Sequence, residues 1–491
     1  MNKIIVSLTT IKSRISSIKG VLDSILNQSL APDEINIYVS NKEFTSSDFS
    51  DIYYKTNNIN VFFVDDIKSH KKYYYAFISH PDDFIITLDD DIIYHPDTIR
   101  KLWEFHLKYP NCVICNRGRF ISIYEDNITK YTRWLRNFPI DYPTNLVMPT
   151  GCLGVLYKPS WFKNDIYHLE RITDKDILLN DDVWLKYNEI ISKIKVVITD
   201  LVKDLNFSKD SQKETLCDSN HKLDATNNAV KKLFNKDIVN DLSNELLDIA
   251  CDSILHDGRH SKVTKNGPFS FKNIKLNNEV VIAKEVNNEI LASDNKYINS
   301  HKVIYSSVQK RIIVFNYLDF SDLPVYLTQN TIELVTSVIN NFNGMVIDDY
   351  GNYLNSIKES LDYYEKFYGS VLYLDFLNDF SNGVFIHGDL NRNNVKISNN
   401  EIYLIDFENA SLGPKWWDLC YFIADHDFDN ISKESLDLLS IVDIKRIIFI
   451  IEIRLGRLIR KKMDLVNRER SLKNFINYLK ERELCGSEIN S

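Results

Sequence analysis

Over roughly its first 200 residues the chain alternates between short apolar runs that suit a buried strand and stretches with apolar residues at helical spacing. KIIVSLTT is such a run, ending in hydroxyls. SRISSIKGVLDSILNQS follows, with Ile15, Ile18, Val21, Leu22 and Ile25 at helical spacing. EINIYVS, INVFFVDD and FIITLDDD are further strands. Alternation of this kind predicts an α/β domain around a mainly parallel sheet. Ligands of such sheets bind beyond the carboxyl ends of the strands. That is where Asp89, Asp90 and Asp91 fall, directly after FIIT.

The chain has 491 residues, too many for one ordinary domain, and 44% hydrophobic content supports a real core in each. The polar stretch from about Val202, followed by the helical pattern NNAVKKLFNKDIVNDLSNELLDIACDSI, places a boundary. We expect a first domain over 1–236, a connecting segment over 237–245 and a second domain over 246–491. A formal net charge of −9 argues against nucleic acid as the main partner. No run approaches the roughly 18–20 apolar residues of a membrane span. The nearest, IIFIIEIRLGRLI, is broken by Glu452, Arg454 and Arg457 and suits a core helix. MNKIIVSLTTIKSR lacks the long apolar stretch of a signal peptide. Seven scattered cysteines frame no disulfide scaffold, and Cys112 and Cys115 suit buried thiols better than metal ligands. A cytoplasmic enzyme is expected.

The second half opens with HDGRHSKVTKNGPFSFKNI, a turn followed by two short strands. EVVIAKEVNNEILASDN suits a helix, KVIYSS and RIIVFNYLD return to strand, and helical patterning dominates after Leu323. A small β-rich lobe before a helical lobe is a two-lobed α+β plan. Within the helical lobe stands FIHGDLNRNNVKISNNEIYLIDFE. Phosphoryl transfer from ATP needs one carboxylate to orient a hydroxyl and another to hold Mg²⁺ against phosphates, and an amide oxygen completes the metal shell. Asp389, Asn394 five residues on, and Asp406 at the end of an apolar strand supply those groups at kinase spacing.

These motifs, with YLIDFENASLGPKWWDL, resemble the aminoglycoside phosphotransferase and choline kinase family, a branch of the protein-kinase-like fold, over roughly Ser253 to the C-terminus. The resemblance implies ATP as phosphoryl donor, Asp389 as catalytic base, Asn394 and Asp406 as Mg²⁺ ligands, and Asp418 as a brace for the catalytic loop. HDGRHSKV resembles a degenerate phosphate-covering loop, with Ser261 as a phosphate contact. Lys272 is the candidate phosphate-pairing lysine and Glu289 its orienting partner, with Lys275 and Glu285 as rivals at similar spacing. Family acceptors are mostly hydroxyls of small molecules.

At the other end, a nucleotide-sugar donor leaves as a diphosphate, helped by a divalent cation that a carboxylate pair at a strand end can anchor. Asp89 and Asp91 form such a D-x-D, and three clustered acids repel one another unless a cation neutralises them. The structural alternative is an acid that merely caps the helix HPDTIRKLWEF, but Asp97 is available for that. IVSLTTIKSRISSIKGVLDSILNQSLAPDEINIYVS, MPTGCLGVLYKPS and LLNDDVWLKY resemble family 2-like, GT-A-fold glycosyltransferases, a Rossmann-like nucleotide-sugar fold, over roughly residues 1–236. The resemblance implies a nucleotide-sugar donor, Mg²⁺ or Mn²⁺ on Asp89 and Asp91, and Asp181 or Asp182 as the base for the acceptor hydroxyl. Arg14 and Lys72 become candidate nucleotide or diphosphate contacts, while Gly151 and Gly154 would permit close approach of a sugar.

Two such activities in one chain point to a phosphorylated glycan. The expectation is a bifunctional enzyme of bacterial capsule or lipopolysaccharide assembly, acting on a glycan or lipid-linked glycan acceptor. Peripheral association with the cytoplasmic face of the inner membrane is part of that expectation. The alternative is a kinase whose N-terminal domain only binds carbohydrate.

Overall fold

The structure is a computed structural model that describes residues 2–50, 58–136, 138–201, 206–207, 224–249, 253–258, 260–295, 298–323, 327–340, 351–399, 401–426, 430–432, 435–436, 439–460 and 466–489. The chain separates into two compact units, Met1–Asp252 and Ser253–Ser491.

In the first unit, β1 (Ile4–Leu8) is buried at every position, as expected of a central parallel strand covered on both faces. It pairs in parallel with β2 (Glu34–Ser40) on one side and β4 (Phe84–Thr87) on the other, and β3 (Ile59–Val64) extends the β2 edge. Beyond β4 lie β5 (Val113–Cys115), β11 (Val155–Tyr157) and β12 (Val196–Ile198), giving the order β12-β5-β11-β4-β1-β2-β3. Only β11 runs against its neighbours, so the expected mainly parallel sheet is present. Helix α1 (Ile18–Leu26) buries Ile18, Val21, Leu22 and Ile25. Successive strands β1 to β3 grow one way while β4 lies on the other side of β1, so the strand order reverses between β1 and β4. A reversal of this kind opens a crevice at the carboxyl ends of the two strands.

Helices α2 (Lys71–Ser79), α3 (Thr98–Lys108) and α4 (Asp181–Ile191) complete the part of this unit that borders the crevice. Two short antiparallel pieces stand apart from the main sheet: β6 (Gly118–Phe120) between β9 (Leu135–Arg136) and β10 (Val147–Pro149), and the hairpin of β7 (Ile123–Tyr124) and β8 (Asn127–Ile128). Cys112, just before β5, and Cys115, at its end, are buried thiols outside any disulfide.

The boundary differs from the sequence expectation. Helices α5 (Ala225–Leu233) and α6 (Lys236–Leu247) belong to the first unit, and 237–245 is helix rather than connector. Ile238, Val239, Leu242 and Leu246 bury one face of α6. The Glu245 carboxylate accepts from Thr144 Oγ1, Asn145 N and Asn145 Nδ2, each at 2.9 Å. The polar residues that suggested a linker are the solvent face of an amphipathic helix.

The second unit begins with antiparallel strands in the order β13-β14-β15-β17-β16: β13 (Ser253–Asp257), β14 (Ser261–Asn266), β15 (Phe269–Ile274), β17 (Ile312–Asn316) and β16 (Val303–Ser307). Helix α7 (Glu279–Asp294) crosses between β15 and β16, its start capped by the Asn278 side chain accepting from Val280 N at 3.0 Å. The helical lobe contains α8 (Gln329–Ile339), α9 (Gly351–Tyr368), α10 (Trp417–Asp425), α11 (Ile441–Arg460) and α12 (Val466–Ile489). Small strands β18 (Ser321–Asp322), β19 (Val384–Ile386), β20 (Val395–Ser398), β21 (Glu401–Leu404) and β22 (Ser411–Gly413) carry the loops of interest. The apolar run of α11 is core: Ile447, Ile448, Phe449, Ile450, Ile451 and Ile453 are fully buried. Among the described residues no helix is long and apolar enough to cross a membrane.

The packing of α11 on α9 depends on Gly456. A Cβ there would lie 1.7 Å from the Ser360 carbonyl oxygen and 3.0 Å from Tyr364 N. Alanine would gain about 1 kcal/mol of helix propensity. It would also force the two helices apart, and overpacking of this kind costs about 3 kcal/mol. Gly456→Ala should therefore lower the melting transition of the second unit, read by calorimetry. An unchanged transition would contradict the close helix contact.

Candidate active sites

The site in the second unit is organised around Lys272. It sits on β15 and is nearly fully buried. Its ammonium lies 2.9 Å from Glu285 Oε1, 3.2 Å from Glu289 Oε1 and 2.7 Å from Asp406 Oδ1. Glu285 and Glu289 are one turn apart on α7 and so share a face. Both rivals for the role of partner therefore meet the same lysine. The rival lysine does not: Lys275 contacts Asp257 and donates to the Gly258 carbonyl at 2.7 Å. Burial works against the charge on Lys272, but Asp406, Glu289 and Glu285 outweigh it and hold its pKa well above the ordinary value. Burial pushes Glu289 up to about 7, with Lys272 opposing and Asp406 and Glu285 adding to the rise.

Asp406 follows β21 with left-handed backbone, φ 67° and ψ 64°. A non-glycine residue seldom adopts that conformation, and such strain collects at functional sites. Burial disfavours its carboxylate, yet Lys272 beside it keeps its pKa below the usual range. The Ile405 N–H just before it donates to the Asn394 carbonyl at 3.0 Å. His387 Nε2 lies 2.9 Å from the Ile405 carbonyl oxygen, and its ring sits 4.6 Å from that of Phe407. These contacts tie the loop after β19 to the strand that presents Asp406.

Within that loop Asp389 is half-buried, and its backbone carbonyl accepts from Asn394 Nδ2 at 2.9 Å and Asn391 N at 2.8 Å. Asp418, fully buried in the first turn of α10, accepts from His387 N at 2.7 Å and Gly388 N at 3.0 Å. Asn394 commits its amide donor to Asp389, which leaves the amide oxygen for a cation. That oxygen and the Asp406 carboxylate are hard donors that fit Mg²⁺, an ion that usually keeps only one or two protein ligands beside phosphate and water. Among the described residues no three His, Cys, Asp or Glu side chains gather into a ready-made metal site. Ser261 stands at the start of β14, its carbonyl accepting from Gly258 N at 2.9 Å to close the turn. The neighbouring His260 Nδ1 lies 4.0 Å from Glu408 Oε1 in the I-D-F-E stretch.

Sequence reasoning missed a layer behind Asp389. The Tyr421 phenol is pushed up to about 12 by burial and by the nearby Asp389 carboxylate, and Arg457 Nη1 donates to its oxygen at 3.0 Å. Asp425 accepts from Arg392 N at 3.0 Å and pairs with Arg454 at 2.5 Å and Arg468 at 2.9 Å. Its spacing of two helical turns from Asp418 was a usable signal, since both then face the loop.

The first unit holds a separate acidic site at the β1–β4 crevice. Asp89, Asp90 and Asp91 follow β4, and Asp181 and Asp182 open α4, where the positive end of the helix dipole favours carboxylates. Lys72 on α2 is buried between them, 2.8 Å from Asp89 Oδ1 and 3.0 Å from Asp181 Oδ2. Arg14 Nη1 lies 2.8 Å from Asp90 Oδ1 and 3.2 Å from Asp91 Oδ2, and Thr10 Oγ1 donates to Asp90 Oδ2 at 2.6 Å. Arg14 and Lys72 thus stand in the site and not on a solvated face. The middle acid, which the D-x-D reading passed over, is engaged by both Thr10 and Arg14.

Burial and the Asp181 charge push the Asp182 carboxyl up to about 8. Burial opposes the Asp181 charge too, but Lys72 and His70 hold that pKa below the ordinary value. Lys72 itself is burdened by burial, yet Asp181 and Asp89 keep it well above the ordinary range. The two glycines separate in role. A Cβ on Gly151 would meet Lys72 Nζ at 3.0 Å and Asp182 Oδ1 at 3.5 Å, so its bare face opens on the site. Gly154, with φ 96°, abuts Leu88 and Leu102 and serves packing. Asp97 precedes α3 but spends its carboxylate on Ser29 and Arg100 rather than on a helix cap. With the Asp182 carboxyl protonated near neutral pH, four carboxylates face Lys72 and Arg14, and the oxygens of Asp89 and Asp91 are the hard donor type that suits Mg²⁺ or Mn²⁺.

Comparison with known proteins bears on the second unit. Residues 374–438 match the model of the phosphotransferase enzyme family, APH, and that segment contains Asp389, Asn394, Asp406 and Asp418. No curated protein matches the chain. Among solved structures, the choline kinase LicA from Streptococcus pneumoniae is similar at 14% identity and TM-score 0.37, covering 50% of this chain and 99% of that one. A choline/ethanolamine kinase family protein from Mesorhizobium loti is similar at 11% identity and TM-score 0.35, covering 48% of this chain and 90% of that one. The ADP-bound aminoglycoside phosphotransferase APH(2'')-Ib is similar at 15% identity and TM-score 0.31, with 48% and 95% covered. The family match over its catalytic loop supports a phosphotransferase domain in the second unit.

Proposed function

We propose that the chain is a two-site transferase. The second unit moves the γ-phosphoryl of ATP to a hydroxyl, and the first moves a sugar from a nucleotide-sugar to a glycan or lipid-linked glycan acceptor. The proposed setting is bacterial capsule or lipopolysaccharide assembly at the cytoplasmic face of the inner membrane. The observation that carries the reading is that each unit holds its own cluster of carboxylates around a buried lysine: Lys272 with Glu289 and Asp406, and Lys72 with Asp89 and Asp181.

In the second unit Asp389 accepts the proton of the acceptor hydroxyl as it attacks. Lys272, fixed by Glu285 and Glu289, pairs with nucleotide phosphate. Asn394 and Asp406 hold Mg²⁺, which supplies charge neutralisation on the phosphates. In the first unit Asp89 and Asp91 hold the cation of the donor diphosphate, and Lys72 and Arg14 set the charge around it. Asp182 removes the acceptor proton, with Gly151 N–H donating to its carboxylate at 3.2 Å.

The test is a donor panel. Full chain with Mg²⁺ or Mn²⁺ is incubated with nucleotide-sugars, γ-labelled ATP and a glycan extract, and release of the sugar donor's nucleotide is followed together with label in the glycan. Release from one donor together with label in the glycan is expected. A carboxyl near 8 works as a base only once deprotonated, so sugar transfer should rise between about pH 7 and about pH 9. Asp181→Asn removes the neighbouring charge that raises Asp182, so its acidic limb should move to lower pH. Label without any donor turnover would make the first unit a carbohydrate-binding module.

A further inference from the structure

The first unit carries three arginines that neither proposed reaction uses. Arg119 lies on β6 and Arg136 on β9, and the antiparallel register sets them directly opposite each other. Like charges at directly opposed positions destabilise a sheet unless an anion sits between them. The Arg119 guanidinium is centred 4.1 Å over the Tyr131 ring and donates to the carbonyls of Tyr131 at 3.3 Å and Trp134 at 3.4 Å. It is held in place by neutral groups. Arg117, just before β6, donates to Cys152 Sγ at 2.8 Å. Among the described residues no carboxylate forms an ion pair with any of the three. Burial, with Arg136 and Arg117 nearby, even holds Arg119 below its ordinary pKa.

Their position relates them to the acidic site. Cys152, the partner of Arg117, follows Gly151, whose N–H donates to Asp182. Tyr131, stacked on Arg119, is close enough to Asp182 and Arg117 for both charges to act on its phenol. Arg117 and Arg119 therefore lie near the carboxylate read as the acceptor base, and Arg136 stands beside Arg119. Planar guanidinium forks match phosphate oxygens two at a time.

We propose that Arg117, Arg119 and Arg136 bind a phosphate monoester on the acceptor whose hydroxyl faces Asp182. The proposal rests on the reading of Asp182 as an acceptor-side group, and it deepens that reading by giving the acceptor a charge. It also fits an order of reactions. A phosphoryl transfer to a hydroxyl, the class of reaction proposed for the second unit, yields such a phosphate-bearing acceptor, and in that order sugar transfer follows phosphorylation.

The test uses full chain saturated with ADP and Mg²⁺, so that the nucleotide site of the second unit is filled. Inorganic phosphate, glycerol 3-phosphate and glycerol are each titrated by calorimetry. Saturable binding is expected for both phosphates and not for glycerol. The double variant Arg117→Gln, Arg136→Gln should weaken it by about tenfold or more, because two charge-assisted forks are lost. The double variant Arg117→Lys, Arg136→Lys should fall between. Arg119 is left intact because its backbone contacts hold the fold, and an unchanged melting curve checks each variant. No saturable phosphate binding, or equal affinity in the glutamine variant, overturns the site. Binding of inorganic phosphate without glycerol 3-phosphate overturns the monoester. Donor turnover is scored separately: arginine-dependent phosphate binding without turnover of any nucleotide-sugar would sink the transferase reading and leave the anion site standing.

Discussion

Asp389→Asn should cut phosphoryl transfer by about 10²- to 10⁴-fold, the usual worth of a positioned general base. The protein should remain folded and should still bind ATP and Mg²⁺. The bracing of this loop runs through the Asp389 backbone carbonyl, which Asn394 and Asn391 hold, and through Asp418 beneath His387 and Gly388. None of those bonds uses the Asp389 carboxylate. An amide of the same shape removes the proton acceptor while still offering the Tyr421 phenol an oxygen. Lys272, Asn394 and Asp406 stay in place, so fluorescent-nucleotide affinity should change by less than the rate does. A full rate in the variant would exclude Asp389 as the base.

Lys272→Met should have the second large effect, on stability as well as turnover. Glu285 and Glu289 are each 2% exposed, and both converge on this one ammonium together with Asp406. Removing the cation leaves buried carboxylates facing one another, and breaking a buried ion pair from one side costs about 3–5 kcal/mol. The pH dependence follows from the sign of the shifts. Burial already pushes Glu289 up to about 7, and the variant removes the Lys272 charge that opposes the rise, so its folded-state pKa climbs further above its unfolded value. The folded state then binds protons more tightly, so the variant's stability deficit should shrink as pH falls from about 8 to about 5 and widen as pH rises. Melting curves of both proteins across that range provide the check. A deficit independent of pH would mean that packing, not charge, explains the loss.

Much of the fold was legible in the sequence because its signals are local. A buried parallel strand must be a continuous apolar run, and KIIVSL and FIIT are such runs. The loop from His387 to Asn394 and the strand ending at Asp406 carry their chemistry at short, fixed spacing, so three site residues could be named from one stretch. What was not legible depends on pairs distant in sequence. Nothing near Lys272 shows whether Glu285 or Glu289 will meet it, since both share a helix face, and in the structure both do. The engagement of Asp90 by Arg14 spans 76 residues and no spacing rule reaches that far. The unit boundary was misplaced because the exposed face of α6 has the composition of a linker, while Glu245 binds residues a hundred positions earlier. Tyr421 lies on an apolar helix whose pattern signals core, and only its neighbour Asp389 gives it a place behind the site.

The measurement that tests the two-site account most directly compares Asp389→Asn with Asp91→Ala in one assay. Each full-length variant receives γ-labelled ATP, the active nucleotide-sugar and glycan acceptor, with acceptor already phosphorylated by the unmodified protein supplied in a parallel sample. The account predicts that Asp389→Asn loses label transfer but still releases nucleoside diphosphate on the phosphorylated acceptor, while Asp91→Ala transfers label and releases none. Loss of both activities in either folded variant would contradict two independent sites in one chain.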